Sequence, residues 1–346
     1  MELALYCPDC GFYEKEEDNL GKRGDFMTSV SVGELFGQLL AFHFSDWLDA
    51  QDGTPDGQYG TGDGQVRIVE AGAHDGKLAR DILSWMRDRR SGTFQRLEYY
   101  LVEPSARRRE WQKAMLRDFP ETVKWVPEMT VLRAILQSSK TIIFSNELLD
   151  AMPVQRLGWD AKAKRWFEWG VALQDGKFIW SRLENCEFRL PSSELEAVLP
   201  DGYTIEISPA AEEWWRAAAG VLARGKLLTL DYGFSADEQF SPSRLNGTLR
   251  AYHRHQVTDD VLANPGEQDL TAHVNFPAIQ QVGEAAGLRT ESFCRQPQFL
   301  TRIVEEIIKQ PASFGEWGPK QTRQFQTLTH PEHLGRAFRV LVQSKP

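Results

Sequence analysis

The sequence predicts an α/β fold, a Rossmann-like parallel sheet with an inserted β-meander and additional helices. Residues 66–70 have strand character and end in an acid, and a turn with two glycines then leads into a helix from Lys77. A second strand, 98–103, also ends in an acid. Residues 154–180 instead alternate between apolar and polar positions, with a hairpin turn at Asp175-Gly176.

The first 50 residues contain a short apolar segment, a polar loop and a predicted helix that continues to about Asp49. Ser29 or Ser31 can cap this helix. Its apolar face consists of aliphatic and aromatic residues at helical spacing, namely Val32, Leu35, Phe36, Leu39, Leu40 and Phe42. Residues 1–50 are therefore expected to pack as a loop and helix on the cofactor domain.

The turn after the first strand carries Gly72 and Gly76. Glycines let the backbone approach a ligand closely, and the following helix N-terminus offers free N–H groups. Glu103, at the tip of the second strand, can accept hydrogen bonds from both ribose hydroxyls, although it follows Gly72 by 31 residues rather than by about 20. These features fit S-adenosylmethionine (SAM), NAD or another adenosine ligand; a strand, turn and helix without a ligand is the alternative.

A further strand, 141–145, leads into Asn146, Glu147 and Asp150. The carboxyl ends of strands line the ligand crevice in doubly wound sheets. Glu147 and Asp150 are three residues apart and can face one cation from successive helical positions. Alternatively, they are acids that complement a helix N-terminus. Asp231 ends a later strand in the same manner.

The α/β pattern returns near residue 203 and ends with a predicted edge strand at 338–342. The predicted division of the chain is an N-terminal segment 1–50, a Rossmann-like domain of 66–153 and 203–346, and a β-rich substrate or partner subdomain at 154–202.

Composition excludes several classes of protein. The chain has 346 residues, a net charge of −9 and a pI near 5.4, which argues against nucleic-acid binding. It lacks an apolar run of about 18 residues, so a membrane span is not expected. Four cysteines and the absence of a secretory signal suggest a reducing compartment, and the expected location is cytoplasmic.

No metal site is predicted. Cys7 and Cys10 form half of a zinc-ribbon pattern without a second CxxC, so two unpaired thiols are the favoured interpretation. His253, His255 and His273 lack the spacing of a particular metal site and are expected to serve as hydrogen-bonding groups.

Motifs across nearly the whole chain resemble those of one known family. They are Leu5-Tyr6 to Tyr13, Gly24 to Ser29, Leu35 to Gly37, Glu70 to Leu78, Leu101 to Glu103, Asn146 to Pro153, Glu206 to Pro209, Asp231 to Gly233, Gly247 to Tyr252, and Pro265-Gly266 with Asp269 to Val274. The last two are the most specific. Together they resemble the MidA-like SAM-dependent methyltransferases, relatives of the mitochondrial complex I assembly arginine methyltransferase.

The resemblance implies a SAM-dependent methyltransferase that modifies an arginine of a protein client. A homodimer is a further expectation. The implied acceptor residues are Glu147 and Asp150, then Asp231, with a hydrogen bond from Asn146. The implied cofactor residues are Gly72 and Gly76 in the turn, Glu103 at the ribose, Glu70 at the methionine moiety, and a covering loop that includes Gly24, Asp25, Phe26, Thr28 and Ser29.

His74 departs from the family pattern, because it replaces the middle glycine of the turn. Val30-Ser31 and Asn275 also differ from the usual residues. Two alternatives are therefore an inactive assembly factor that binds a client on the same fold, and a small-molecule methyltransferase.

Overall fold

The computed structural model describes residues 1–15, 28–50, 64–137, 139–183, 198–238, 240–241, 244–253, 256–331 and 334–346. The chain divides into two compact units. The first, called the sheet unit here, comprises 18–148, 214–231 and 280–346. The second, called the meander unit, comprises 1–17, 149–213 and 232–279. These boundaries differ from the predicted division, since residues 1–17 belong to the same unit as the meander.

The strands and helices of the described residues are as follows. The strands are β1 Val66–Ala71, β2 Leu97–Val102, β3 Val123–Val126, β4 Lys140–Asn146, β5 Gln155–Asp160, β6 Arg165–Gln174, β7 Lys177–Leu183, β8 Thr204–Ile207, β9 Gly225–Phe234, β10 Arg250–His253, β11 Gln256–Thr258, β12 Asp269–Thr271, β13 Val274–Asn275, β14 Arg289–Arg295 and β15 Phe338–Lys345. The helices are α1 Glu2–Tyr6, α2 Ser29–Val32, α3 Leu35–Asp49, α4 Lys77–Arg89, α5 Ser91–Gln95, α6 Ala106–Met115, α7 Pro209–Val221, α8 Phe276–Ala285, α9 Gln296–Lys309, α10 Pro311–Phe314 and α11 Pro319–Thr329.

The main sheet has the order β14-β15-β9-β4-β1-β2-β3, and β13 pairs with the end of β9. Strands β3, β2, β1, β4 and β9 run parallel. Every residue of β1 is buried, as expected for a parallel strand covered on both faces. This mostly parallel sheet confirms the predicted α/β fold. Chain order reverses beside β1, the position at which doubly wound folds bind their ligands.

Three details differ from the sequence prediction. The final strand β15 is not an edge strand, because it lies between β14 and β9 and is almost wholly buried. The predicted N-terminal helix is two helices, since Gly33 adopts a φ of 145° and separates α2 from α3. Thr28, rather than either serine, is the N-cap of α2, in a capping box with Ser31.

The meander unit contains two antiparallel sheets, with the orders β7-β6-β5-β8 and β11-β10-β12. Strand β8 pairs antiparallel with β5. Residues 204–207 therefore belong to the sheet of the meander and do not resume the main sheet as predicted. Behind this sheet lies an apolar cluster of Leu157, Trp159, Tyr203, Ile205 and Ile207.

Helices of the described residues are too short or too polar to cross a membrane. Of the predicted covering loop, Gly24, Asp25 and Phe26 lie outside the described residues, as does His255.

Candidate active site

The turn between β1 and α4 is built from left-handed backbone positions. Gly72, His74 and Gly76 have φ values of 76°, 47° and 85°. A Cβ on Gly72 would lie 3.0 Å from Leu148 Cδ1, so this position has little room for a side chain. A histidine at positive φ is unusual, and the surrounding contacts must hold it there. Its carbonyl oxygen accepts a hydrogen bond of 3.0 Å from Gln112 Nε2.

Glu70, the acid at the end of β1, is buried. Tyr99 on the neighbouring strand β2 donates a hydrogen bond of 2.5 Å to Glu70 Oε2. Burial raises the pKa of Glu70 to about 8, and the Asp75 charge adds to this increase, while the Tyr99 hydrogen bond opposes it. A cation placed beside this buried carboxyl would lower its pKa and favour its ionised form.

Glu103 directly follows β2 and has a preorganised set of donors. Its Oε1 accepts hydrogen bonds from Ser105 N at 2.9 Å and from Arg108 Nε at 3.0 Å. Its Oε2 accepts one from Gln112 Nε2 at 3.0 Å. These contacts fix the orientation of a buried carboxylate at the strand end where the ribose of an adenosine ligand is expected.

Gln112 is the functional residue that sequence reasoning missed. It is fully buried on α6, donates to both His74 O and Glu103 Oε2, and accepts from Trp125 Nε1 at 3.0 Å. A single side chain thus connects the glycine turn, the ribose carboxylate and the end of β3. The sequence contains one weak signal for Gln112. It follows the capping Ser105 by two helical turns and therefore lies on the same side of α6.

The end of β4 holds a second group of polar residues. Glu147 has a φ of 52°, and its Oε1 accepts hydrogen bonds from Ser29 N at 3.1 Å and from Asn146 Nδ2 at 2.9 Å. Asn146 is 8% exposed, and its buried Oδ1 has no hydrogen-bond partner within the described part of the chain. Since such an acceptor is costly to bury alone, this position fits a ligand that brings N–H donors.

Asp231, at the end of the sheet-unit part of β9, supports this arrangement. It is fully buried, and its Oδ2 accepts a hydrogen bond of 3.1 Å from Leu148 N. The carboxylate therefore holds the backbone that follows Glu147. This contact favours a positioning role for Asp231 over the predicted direct contact with the acceptor.

Asp150 belongs to the meander unit and is buried there. Its carbonyl oxygen accepts a hydrogen bond of 2.9 Å from Ala272 N. Burial raises the pKa of Tyr252, and the Asp150 charge is the next cause of that increase. The same charge contributes to the raised pKa of Tyr13, after burial and the charges of Asp269 and Tyr6. Asp150 thus lies close enough to the phenols of Tyr13 and Tyr252 to influence them, and its role toward an acceptor stays a prediction.

The sheet unit brings most of the predicted residues to the carboxyl ends of its parallel strands. Glu70, the turn, Glu103, Asn146 and Glu147 follow β1, β2 and β4, which are neighbours in the sheet. The described part of the predicted covering loop, Thr28 and Ser29, is joined to Glu147 through the Ser29 N–H. A glycine turn at a helix N-terminus, two strand-end carboxylates and one buried acceptor fit the adenosine and the cationic methionine portion of SAM.

Replacing Glu103 with alanine is expected to weaken SAM binding by about tenfold or more, or about 1.4 kcal/mol, because the ribose acceptor is lost. Isothermal titration calorimetry measures this directly. Glu98→Ala is the matched control, since Glu98 lies on the same strand and pairs with Arg67 and Lys124 instead. Glu103→Ala also removes the carboxylate that Arg108 binds. Arg108→Leu tests whether the loss of that ion pair, rather than of the ribose acceptor, weakens SAM binding. Unchanged affinity in Glu103→Ala would remove the ribose assignment.

Gln112→Met is expected to raise the KM for SAM roughly fivefold while kcat changes little, since the lost hydrogen bonds are worth about 1 kcal/mol. Gln343→Met is the control. Gln343 is equally buried, accepts from Trp215 Nε1 at 2.8 Å, and donates to Gln280 O and Thr290 Oγ1. Equal effects of the two substitutions on KM would mean that Gln112 acts only through stability.

Comparisons with known proteins agree with this geometry. A model of the family described as "Putative S-adenosyl-L-methionine-dependent methyltransferase" matches residues 39–294. The curated protein arginine methyltransferase NDUFAF7 homolog, mitochondrial, of Drosophila melanogaster is 26% identical over 99% of this chain and 79% of its own length. Protein arginine methyltransferase NDUFAF7, mitochondrial, of Homo sapiens is 26% identical over 98% of this chain and 77% of its own length.

Among solved structures, this chain is similar to a "likely methyl transferase" from Burkholderia thailandensis bound to S-adenosyl-homocysteine. The two are 30% identical, with a TM-score of 0.79 over 99% of this chain and 86% of that chain. The cytoplasmic location expected from the sequence is contradicted by the curated relatives, which are labelled mitochondrial.

Proposed function

This chain belongs to the family of S-adenosyl-L-methionine-dependent methyltransferases that its residues 39–294 match, and on that premise we propose that it methylates an arginine side chain of a protein client. SAM is its cofactor, and the family, the reaction class and the cofactor predicted from the sequence are confirmed. The arginine acceptor is supported by the names of the relatives and by the chemistry at the end of β4.

The observation that carries the proposal is the buried Asn146 Oδ1, which has no hydrogen-bond partner among the described residues and lies next to the Glu147 carboxylate. A guanidinium group is planar, carries five N–H donors and stays protonated in water. It can donate to the Asn146 oxygen and pair with Glu147 at the same time, whereas a hydroxyl or carboxylate acceptor brings too few donors.

Methyl transfer from a sulfonium is an in-line displacement, for which alignment of the reactants supplies most of the catalysis. SAM supplies the methyl group when bound. Asn146 and Glu147 would orient one guanidinium nitrogen toward the methyl carbon, and the Glu147 carboxylate would accept the proton that this nitrogen loses as it is methylated. Asp231 holds the backbone at Leu148, and Ser29 N holds the Glu147 carboxylate, so both groups are fixed before the acceptor arrives.

The alternative of an inactive client-binding protein depended on His74 and on the altered segment after Thr28-Ser29. The backbone at this position keeps a left-handed conformation, with its carbonyl oxygen bound by Gln112. Its imidazole Nδ1 lies 3.9 Å from Asp75 Oδ1, and its ring centroid lies 6.5 Å from that of Trp111. These contacts give the His74 side chain a place beside the turn, which favours a cofactor-binding protein over the inactive alternative.

The test is methyl-label transfer. The purified chain is incubated with SAM that carries a radioactive methyl group and with a protein extract, and the protein fraction is hydrolysed in acid and analysed for methylated amino acids. We expect label in methylarginine, and less of it with Glu103→Ala when the SAM concentration is limiting. Label in methyl-lysine, label released as methanol when unhydrolysed protein is treated with base, or label in the small-molecule fraction would overturn the arginine assignment. Capture on the immobilised protein would identify the client. Light scattering would test the predicted homodimer.

A further inference from the structure

The segment after α1 brings two thiols together. Cys7-Pro8-Asp9-Cys10 forms a closed turn, in which Cys7 O accepts hydrogen bonds from Cys10 N at 3.3 Å and from Gly11 N at 2.7 Å. Cys10 Sγ lies 3.2 Å from Cys7 Sγ and donates a hydrogen bond to it. Cys7 is partly exposed and Cys10 is exposed, so both sulfurs are within reach of solvent.

The contacts around this turn hold it in place. A Cβ on Gly11 would lie 2.6 Å from Cys7 N, so the chain leaves the turn through a position that only glycine fits. On its other side, a Cβ on Gly266 would lie 2.4 Å from Cys10 O, and Gly266 has a φ of 83°. Tyr13 donates a hydrogen bond of 2.7 Å to Asp269, which ties the same two segments together.

The two thiols have different chemical character. The hydrogen bond from the Cys10 thiol lowers the pKa of Cys7, and backbone N–H groups of Asp9 and Cys10 lower it further. The pKa of Cys10 is raised, first by the hydrogen bond that it donates. In CxxC motifs, a thiol with a lowered pKa is the attacking nucleophile, and the second thiol resolves the mixed disulfide.

We propose that Cys7 and Cys10 form a redox-active dithiol that low-molecular-weight disulfides of the glutathione class oxidise to an intramolecular disulfide. Closing the bond to about 2.05 Å requires the sulfurs to approach by roughly 1 Å, which side-chain rotation supplies in a turn that is already closed. This exchange chemistry does not depend on the proposed arginine acceptor.

The exchange balances as follows. The Cys7 thiolate attacks one sulfur of glutathione disulfide, forms a mixed disulfide and releases one glutathione thiolate. The Cys10 thiolate then attacks Cys7 Sγ and releases the second glutathione. Two cysteine thiols are oxidised, one glutathione disulfide is reduced to two thiols, and the two protons of the cysteine thiols end on the two glutathione sulfurs.

A zinc site is the competing use of a CxxC pair, but structural zinc requires four ligands. Among the residues that the structure describes, there is no group of three or more His, Cys, Asp or Glu side chains arranged to hold a metal. The two thiols of this turn are therefore a better match to exchange chemistry than to a metal.

The test uses the full chain, equilibrated in buffers of increasing glutathione disulfide, quenched in acid, alkylated, and analysed by peptide mass spectrometry. We expect the 7–10 peptide to lose two hydrogens per chain, while Cys294, which is partly buried, stays alkylated in the same samples. Cys10→Ser should accumulate glutathione on Cys7, and Cys7→Ser should react at Cys10 several-fold more slowly with a disulfide probe. Circular dichroism checks that both variants fold.

Three outcomes would overturn the proposal. The first is a 7–10 peptide that stays fully alkylated at every buffer ratio. The second is a disulfide that joins Cys7 or Cys10 to another cysteine, and the third is stoichiometric zinc that must be chelated before either thiol reacts.

Discussion

Asn146→Leu is expected to lower the rate of methyl transfer by about 100-fold or more, while the affinity for SAM changes little. Leucine has a similar size and shape but removes the buried Oδ1 acceptor and the donor to Glu147. If the acceptor nitrogen is oriented by these two contacts, the loss falls on the transition state, for which one such hydrogen bond is typically worth about 100-fold in rate. The measurement is the initial rate of label transfer to protein, together with the Kd for SAM from calorimetry.

Thr229→Val is the control for this experiment. Thr229 is fully buried on the neighbouring strand β9, and its hydroxyl accepts a hydrogen bond of 2.9 Å from Ser145, the residue before Asn146. Thr229→Val removes this buried hydrogen bond from the sheet and leaves the residues of the site unchanged. Normal transfer by Asn146→Leu would refute the acceptor role. A large change in the Kd for SAM would show that Asn146 binds the cofactor instead.

The second large effect concerns Glu70 and the pH dependence of stability. In the unfolded chain this carboxyl has its ordinary pKa of 4.5, whereas burial raises the pKa to about 8 in the folded protein. Between these values the folded state binds more protons than the unfolded state, so the free energy of unfolding falls as pH rises. The stabilisation that the protonated Glu70 carboxyl provides is fully present below pH 4.5 and lost above about pH 8. The separation between these two pKa values makes this stabilisation about 5 kcal/mol.

Glu70→Gln keeps the shape of the neutral carboxyl and cannot ionise. Urea unfolding at several pH values should therefore show the wild type losing stability relative to the variant across this window, with the variant the more stable protein above it. Parallel curves for the two proteins would contradict the raised pKa. Because a sulfonium or ammonium cation would favour ionised Glu70, SAM binding should release a proton in the wild type and not in Glu70→Gln. Calorimetry in two buffers of different ionisation enthalpy measures that release.

Sequence patterns predicted the strand ends well, because a parallel strand leaves a local signature of apolar residues that stops at a polar one. Glu70, Glu103 and Asn146 were identified in this way. The partners of these residues were not, since Tyr99 and Gln112 are a strand residue and a helix residue without any distinguishing motif. Their roles depend on which strands become neighbours, and that is a property of the sheet.

Two further strands, β15 and β8, show that local patterns do not predict which strands pair. Strand β15 has the apolar sequence of a sheet strand, but its interior position is decided by its pairing with β14, which local patterns do not encode. The alternating sequence at 204–207 fits either sheet, and its pairing with β5 places it in the meander.

By itself, the sequence determined the fold class and the acids at the strand ends, because each is encoded in residues adjacent along the chain. The family and the cofactor were indicated by the resemblance of motifs spread over nearly the whole chain. Only the tertiary structure decided what those residues contact. Asp231 holds Leu148, Glu147 is held by Ser29, and Asn146 keeps a buried acceptor. It also placed the two thiols of Cys7 and Cys10 within 3.2 Å of each other. Hydrogen bonds and burial depend on atoms brought together from distant segments, and only folding brings them together.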